Sequence, residues 1–72
     1  MTAELPLNSL AVDTSRGDKI GYVMGRVGPD TQLRPPGGGV EWDVAPKDIR
    51  PATETELLRA RVTELNRAVR VV

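Results

Sequence analysis

Glu41, Asp43 and Asp48 are the side chains whose type and spacing could support acid–base chemistry or bind a metal ion. Glu41 and Asp43 lie in a stretch that alternates apolar and acidic residues, so both are expected on the solvent face of a strand. The spacing of the three carboxylates matches no metal-binding loop such as the EF-hand. We therefore expect no catalytic residue, no metal site and no cofactor at this position.

Histidine and cysteine are both absent from the 72 residues. Their absence removes imidazole acid–base catalysis, thiolate nucleophiles, Cys/His zinc sites and disulfides. The glycine run at 37–39 is not a phosphate loop, because a P-loop requires a Lys-Ser/Thr pair and a following helix, whereas a strand is predicted to follow here. We predict that the protein is not an enzyme.

Arginines are the residues through which the chain could bind nucleic acid. Basic and acidic residues balance at ten each, so no net field draws the chain to phosphate. Arg26 and Arg34, at outward positions of adjacent predicted strands, could form a small basic patch. In the alternative function, an RNA- or ribosome-associated protein, the phosphate contacts would come from Arg26, Arg34, Arg59, Arg61, Arg67 and Arg70.

Apolar residues near the C-terminus repeat at intervals of 4, 3, 4 and 3, which is the 3.5-residue period of a coiled coil. They are Leu58, Val62, Leu65, Val69 and Val72. Two interpretations remain open for this helix: it docks on its own domain through the apolar residues, or it projects and meets a second chain. A helix of about 20 residues is about 30 Å long, which is longer than a compact domain of this size, so we expect it to overhang.

The stretch Lys19–Val27 is predicted to form the central strand of the fold. This strand must therefore position most of the candidate residues named above. Strict alternation would put Gly21, Val23, Gly25 and Val27 on one face and the larger Ile20, Tyr22 and Met24 on the other. Two glycines on one face are typical of a strand that bends sharply in a small closed sheet. The sequence therefore predicts a small five-stranded β-barrel over residues 9–52, after an irregular lead at 1–8.

The other strands follow from alternation and turn residues. Short strands are predicted near Leu10 and Val12, over 31–34 and over 40–44, with a polar loop at 13–18, a turn at 28–30 and a hairpin tip at 35–39. Pro46 predicts a 3₁₀ turn before a short fifth strand. Val40, Trp42 and Val44 are expected to point into the core, and Tyr22 is expected in the core with its hydroxyl at the surface.

Thr53 and Glu56 have the spacing of a capping box, in which the hydroxyl and the carboxylate satisfy the first backbone donors of a helix. Neither proline nor glycine occurs after that point. The sequence therefore predicts one amphipathic helix over 53–72.

One long segment of the chain resembles the small SH3-like barrels, particularly the KOW/Tudor-like branch. It reads VDTSRGDKIGYVMGRVGPDTQLRPPGGGVEWDVAPKDIRP. Gly21-Tyr22-Val23 matches their Gly-x-Val strand, and the segment at 44–50 is similar to the 3₁₀ turn before the last SH3 strand. The whole chain also resembles short actinobacterial proteins, a group that implies no activity. The chain departs from peptide-binding SH3 domains in having only Tyr22 and Trp42 as aromatics, and from basic KOW domains in its balanced charge.

Together these observations predict a cytoplasmic, non-enzymatic interaction or accessory module. Its predicted partner is an unknown protein, or a second copy in weak self-association, bound through the C-terminal helix. Glu4 and the lack of a basic or long apolar segment near the N-terminus argue against a signal peptide, and no later stretch approaches a membrane span.

Overall fold

A computed structural model describes residues 5–68 and shows five antiparallel strands followed by one helix. The strands are β1 (Leu10–Asp13), β2 (Lys19–Val27), β3 (Asp30–Arg34), β4 (Trp42–Val44) and β5 (Ile49–Pro51). Single 3₁₀ turns cover Thr14–Arg16 and Pro46–Asp48, and helix α1 covers Glu54–Ala68. The mainly β architecture, the 3₁₀ turn that begins at Pro46 and the helix after Thr53 were all predicted from the sequence.

The strands form one open sheet in the order β4-β3-β2-β1-β5, so β2 lies at its centre as predicted and β4 and β5 lie at its edges. The strand register shows on which face of the sheet each side chain lies, because directly opposed residues of antiparallel strands point to the same face. Ala11 opposes Gly21, and Val23 opposes Leu33. Leu10 opposes Tyr22, and Val12 opposes Ile20, on the other side of the sheet.

The first of these faces, which we call the core face, carries the apolar core. Ala11, Val23, Leu33, Trp42 and Val44 form its buried cluster, with Leu5 and Ile49 packed against it. The predicted burial of Trp42 and Val44 is confirmed. The predicted burial of Val40 is wrong, since this side chain is 86% exposed. The loop that contains the three glycines extends through residue 41, so β4 begins only at Trp42 and Val40 never enters the sheet.

The predicted alternation of β2 fails at Met24. The register between β2 and β3 shifts between Val23 and Gly25, so that Gly25 opposes Gln32 while Val23 opposes Leu33. Gln32 and Leu33 are neighbours in β3 and face opposite sides, so Gly25 lies on the other face from Gly21 and Val23. The prediction that both glycines share one face is therefore wrong. A bulge of this kind bends a strand and increases its twist without any glycine.

Gly21 has a different role, which is to allow close approach. A Cβ atom there would lie 2.8 Å from both Leu33 Cβ and Trp42 Cη2. A Cβ atom at Gly25 would have no atom within 4 Å. The core therefore closes over the backbone at Gly21, and only the first of the two glycines is sterically required.

Candidate functional site

Helix α1 packs over the second face of the sheet, which we call the helix face. Tyr22 lies on this face, and its Oη donates a hydrogen bond of 2.8 Å to Glu64 Oε1 of the helix. Ala60 is only 2% exposed. The prediction that Tyr22 lies in the core is wrong: it is half-buried and lies between the sheet and the helix. Burial, together with the hydrogen bond to Glu64, raises the pKa of Tyr22 above its ordinary value.

Glu56 fixes the start of the helix to the last strand. Its carboxylate accepts hydrogen bonds from Arg50 Nη1 at 2.9 Å and Arg50 Nη2 at 2.8 Å, and also from the backbone N–H of Thr53 at 2.8 Å. The backbone N–H of Glu56 donates to Thr53 Oγ1 at 3.2 Å, which completes the predicted capping box. The Arg50 guanidinium and the Thr53 N–H lower the pKa of Glu56 from 4.5 to about 2.

We define the seam as Leu58, Val62 and Leu65. It lies on the side of the helix opposite to the buried Ala60. These side chains are 64%, 55% and 61% exposed. Ala60 is two positions from both Leu58 and Val62, which corresponds to a rotation of about 200° around the helix. The helix therefore docks through a face that does not include the predicted apolar stripe. The remaining stripe residues, Val69 and Val72, lie outside the described residues.

A cleft of about 380 Å³ separates the N-terminal part of α1 from the sheet. Leu10, Tyr22 and Leu57 supply its apolar wall, while Ser9, Thr53 and Arg61 are among its polar lining residues. The Tyr22 hydroxyl already donates to Glu64. The cleft opens to solvent, and besides Arg61 its titratable lining groups are Glu54 and Tyr22, whose hydroxyl is bonded to Glu64, so its geometry favours no catalytic step.

Asp13 is the buried carboxylate of the core face, and sequence reasoning placed it in a loop. Its Oδ2 accepts from Trp42 Nε1 at 2.8 Å, and its Oδ1 accepts from the Ser15 N–H at 2.9 Å and the Ser15 hydroxyl at 2.6 Å. Arg16 Nε lies 3.5 Å from Oδ2. The two-residue spacing of Asp13 and Ser15 is that of an Asx turn, and this was the available signal.

The surroundings of Asp13 account for its charge. Burial disfavours the carboxylate, but the hydrogen bonds from Ser15 and Trp42 and the charge of Arg16 outweigh it and hold the pKa of Asp13 below its ordinary value. Lys19 Nζ covers the Trp42 ring at 4.3 Å from the centroid. Both carboxylate oxygens are occupied, so this cluster anchors the tryptophan and offers no free base.

The arginines predicted to contact phosphate do not converge. Arg26 opposes Thr31 on the core side of the bulged strand, whereas Arg34 opposes Tyr22 on the helix face. Arg26 lies four residues along β2 from Tyr22, the partner of Arg34, which is about 13 Å. Arg59 and Arg61 are exposed and lie about 200° apart around α1. Arg70 and the side chain of Arg67 lie outside the described part of the chain.

Among residues 5–68, no group of three or more acidic side chains is placed to hold a metal ion, and this includes Glu41, Asp43 and Asp48. In the same described range, α1 is neither long enough nor apolar enough to cross a membrane. Comparisons of the chain with protein-family models, curated proteins and solved structures find no match. Within residues 5–68, the exposed seam is the candidate contact surface that the geometry offers.

Proposed function

We propose that this chain is a small, non-enzymatic interaction module of the cytoplasm that binds an apolar helix along the seam. The observation that carries the proposal is the contrast between the two sides of α1: Ala60 is buried against the sheet, while all three described seam residues are more than half exposed. The fold does not need these three side chains for its own packing. Contiguous exposed apolar residues of this kind mark interaction surfaces.

The chemistry of the seam favours a helical partner. Its residues are branched aliphatic side chains at the 4-and-3 spacing that accepts knobs from a second helix. The helix is pre-organised for binding, because the Thr53 capping box, the Arg50–Glu56 ion pair and the Tyr22–Glu64 hydrogen bond fix it on the sheet. A partner would therefore meet an already ordered surface and lose less conformational entropy on binding.

We also propose that the scaffold belongs to the SH3-like barrels, with the KOW/Tudor-like branch as the nearest comparison. The strand order β4-β3-β2-β1-β5, the bulged central strand and the 3₁₀ turn between β4 and β5 support this assignment. In this proposal the sheet serves as a rigid support. The exposed helix side, rather than an aromatic groove, carries the contact.

Copurification with three versions of the chain tests the proposed function. Wild type, Leu65→Asp and Asn66→Asp are used as baits in extract of the source organism under gentle salt. Leu65→Asp places a charge in the seam, whereas Asn66→Asp places the same charge at the neighbouring exposed position, about 100° away around the helix. We expect one partner to be retained by wild type and Asn66→Asp and lost with Leu65→Asp.

Equal retention of that partner by all three baits would reject the seam as the contact surface. Fluorescence of the single tryptophan, Trp42, checks that each bait is folded. Its indole is buried against Asp13 on the core face, on the other side of the sheet from α1, which carries the substitutions. A changed emission maximum would identify a misfolded bait, and Leu65→Asn would then replace Leu65→Asp.

A further inference from the structure

We propose that the occupant of the seam is the seam of a second copy of this chain, with the two helices parallel. This inference rests on the proposed function and names the partner for the same surface. It is carried by two observations that do not depend on each other: which aliphatic residue occupies each seam position, and which charges flank the seam.

The aliphatic residues follow the pattern of a parallel two-stranded coiled coil. In heptad notation, Val62 occupies an a position, and Leu58 and Leu65 occupy d positions. A β-branched residue at a combined with leucine at d favours two strands in parallel. Thr55 occupies the preceding a position and is also exposed. Each seam residue would then face its own counterpart across a two-fold axis.

The charges beside the seam complement those of a second parallel copy. Glu54 occupies a g position and Arg59 occupies the following e position, and both side chains are exposed. In a parallel pair the g residue of one helix faces the next e residue of the other, so Glu54 would meet Arg59 of the second copy, and the two-fold axis repeats this contact. Within one helix the two residues are five positions apart and do not face each other, since side chains on one helix meet at spacings of three and four.

The docked sheet leaves room for this arrangement. The helix contacts its own domain through Tyr22–Glu64, through Arg50–Glu56 and through Ala60. None of these involves a seam residue, and Ala60 lies about 200° around the helix from Leu58 and Val62. A second helix along the seam would therefore displace no contact within the chain. The two sheets would lie on the outer sides of the helix pair.

The described seam is short, so association is expected to be weak and to depend on concentration. Fewer than three heptads are available, and three apolar residues per chain bury much less than the surface of a standard interface. We expect the purified protein to pass from monomer to dimer as its concentration rises through the micromolar to millimolar range. Leu65→Asp should remove the dimer, and Asn66→Asp should retain it.

Charge reversal tests the partner and its direction. Sedimentation equilibrium at low ionic strength compares wild type with Glu54→Arg, Arg59→Glu and the double variant Glu54→Arg/Arg59→Glu. Each single reversal should weaken the dimer about fivefold, because it places like charges together at two symmetric positions. The double variant should recover the wild-type affinity.

Arg61 provides the matched control. It is also an exposed helix arginine, but it occupies a g position, where a parallel partner would offer Asn66. Arg61→Glu combined with Glu54→Arg should therefore fail to recover the dimer. Recovery by this pair instead of the Arg59 pair would indicate antiparallel helices, in which g faces g, and would overturn the proposed direction.

The remaining outcomes separate this inference from the proposed function. A chain that stays monomeric to millimolar concentration overturns the second copy as occupant, while Leu65-dependent copurification of another protein would still support the seam. A dimer that persists in Leu65→Asp overturns the inference as well, because it must form elsewhere. Trp42 fluorescence and helical circular dichroism in dilute samples identify any variant that has lost its fold, and Arg59→Gln then replaces Arg59→Glu.

Discussion

The two faces of the sheet are covered in different ways. On the core face, strands alone bring together Ala11, Val23, Leu33, Trp42 and Val44, and the cluster closes over the backbone of Gly21. The helix face is covered by α1, which polar contacts attach at Glu56 in its first turn and at Glu64, one turn before Ala68. The core face is therefore specified mainly by volume and shape, whereas on the helix face the burial of Leu10 and Val12 is combined with a few directional contacts between polar or charged groups.

This contrast also explains why the helix can present apolar residues to solvent. The polar contacts at Tyr22 and Arg50, the small side chain of Ala60 and the half-buried Leu57 attach α1 to the sheet. The apolar residues of the seam, Leu58, Val62 and Leu65, take no part in this attachment and are exposed. Variants of the two regions should consequently differ in size of effect and in dependence on pH.

The largest effect is expected from Leu33, which is fully buried at the centre of the core face. Leu33→Ala removes buried methylene groups and leaves a cavity, so it should lower the free energy of unfolding by about 2–5 kcal/mol. The matched change in the seam, Leu65→Ala, should alter it by no more than about 0.5 kcal/mol in dilute protein. Urea denaturation followed by Trp42 fluorescence measures both, and equal losses would contradict the described difference between core and seam.

The two glycines of β2 should respond unequally to the same substitution. Gly21→Ala places a Cβ atom 2.8 Å from Leu33 and Trp42, and overpacking of this kind costs about 1–3 kcal/mol. Gly25→Ala meets no atom within 4 Å and should be neutral or slightly stabilising, because alanine restricts the unfolded chain. Thermal unfolding of the two variants gives the comparison directly. A Gly25 variant as unstable as the Gly21 variant would show that the bend does depend on both.

Asp13 provides the polar test of the core face. Asp13→Asn keeps the shape but can no longer accept all of the hydrogen bonds from Trp42 and Ser15, which should cost about 1–3 kcal/mol. Asp43→Asn is the control, because Asp43 is exposed on β4 and opposes Gln32. Denaturant unfolding is the measurement. An unfolding midpoint in Asp13→Asn equal to that of wild type would show that the carboxylate does not stabilise the core.

A smaller effect is expected from Tyr22→Phe on the helix face. The variant loses only the hydrogen bond to Glu64, which is worth about 1 kcal/mol. The loss should be concentrated in α1, so helical circular dichroism should decrease before Trp42 fluorescence changes. Coincident transitions at wild-type stability would indicate that this contact does not hold the helix.

The smallest expected effect is a change in pH dependence from Glu56. Its pKa is lowered on folding from 4.5 to about 2, so its stabilising contribution is complete above about pH 4.5 and is lost as the pH falls towards 2. Glu56→Gln should flatten this part of the stability profile, leaving the acid loss caused by Asp13, whose pKa is also lowered. Glu54→Gln, at an exposed position, is the control, and an unchanged acid slope in Glu56→Gln would contradict the linkage.

Local patterns were sufficient for much of the scaffold. The bounds of β2, the Thr53–Glu56 capping box, the 3₁₀ turn at Pro46 and the burial of Trp42 all follow from residues close together in sequence. The bulge at Met24 did not, because the sequence continues to alternate through it and only pairing with β3 reveals the shift. The burial of Val40 was wrongly predicted for a related reason, since the alternating pattern of β4 continues through Val40 although this residue lies in a loop.

The site was predictable in part. The 4-and-3 spacing identified the seam residues, and their exposure is consistent with a surface that the sheet does not use. The face by which the helix docks depends on Tyr22–Glu64, whose partners are 42 residues apart, and the Asp13–Trp42 bond joins residues 29 apart. Such pairings carry no local signal, so they required the three-dimensional arrangement.

Glu56 also gives the unwinding of α1 a direction. The same carboxylate accepts from Thr53 at the first turn and from Arg50 in β5, so the first turn cannot open unless the helix also separates from the last strand. Partial melting should therefore begin beyond Glu64, which Tyr22 holds, and proceed backwards along α1, with amide protection greatest near Leu57 and least near Ala68. A second helix bound along the seam would stabilise the last described turns of α1. Amide protection of these turns should therefore increase as more of the seam is occupied.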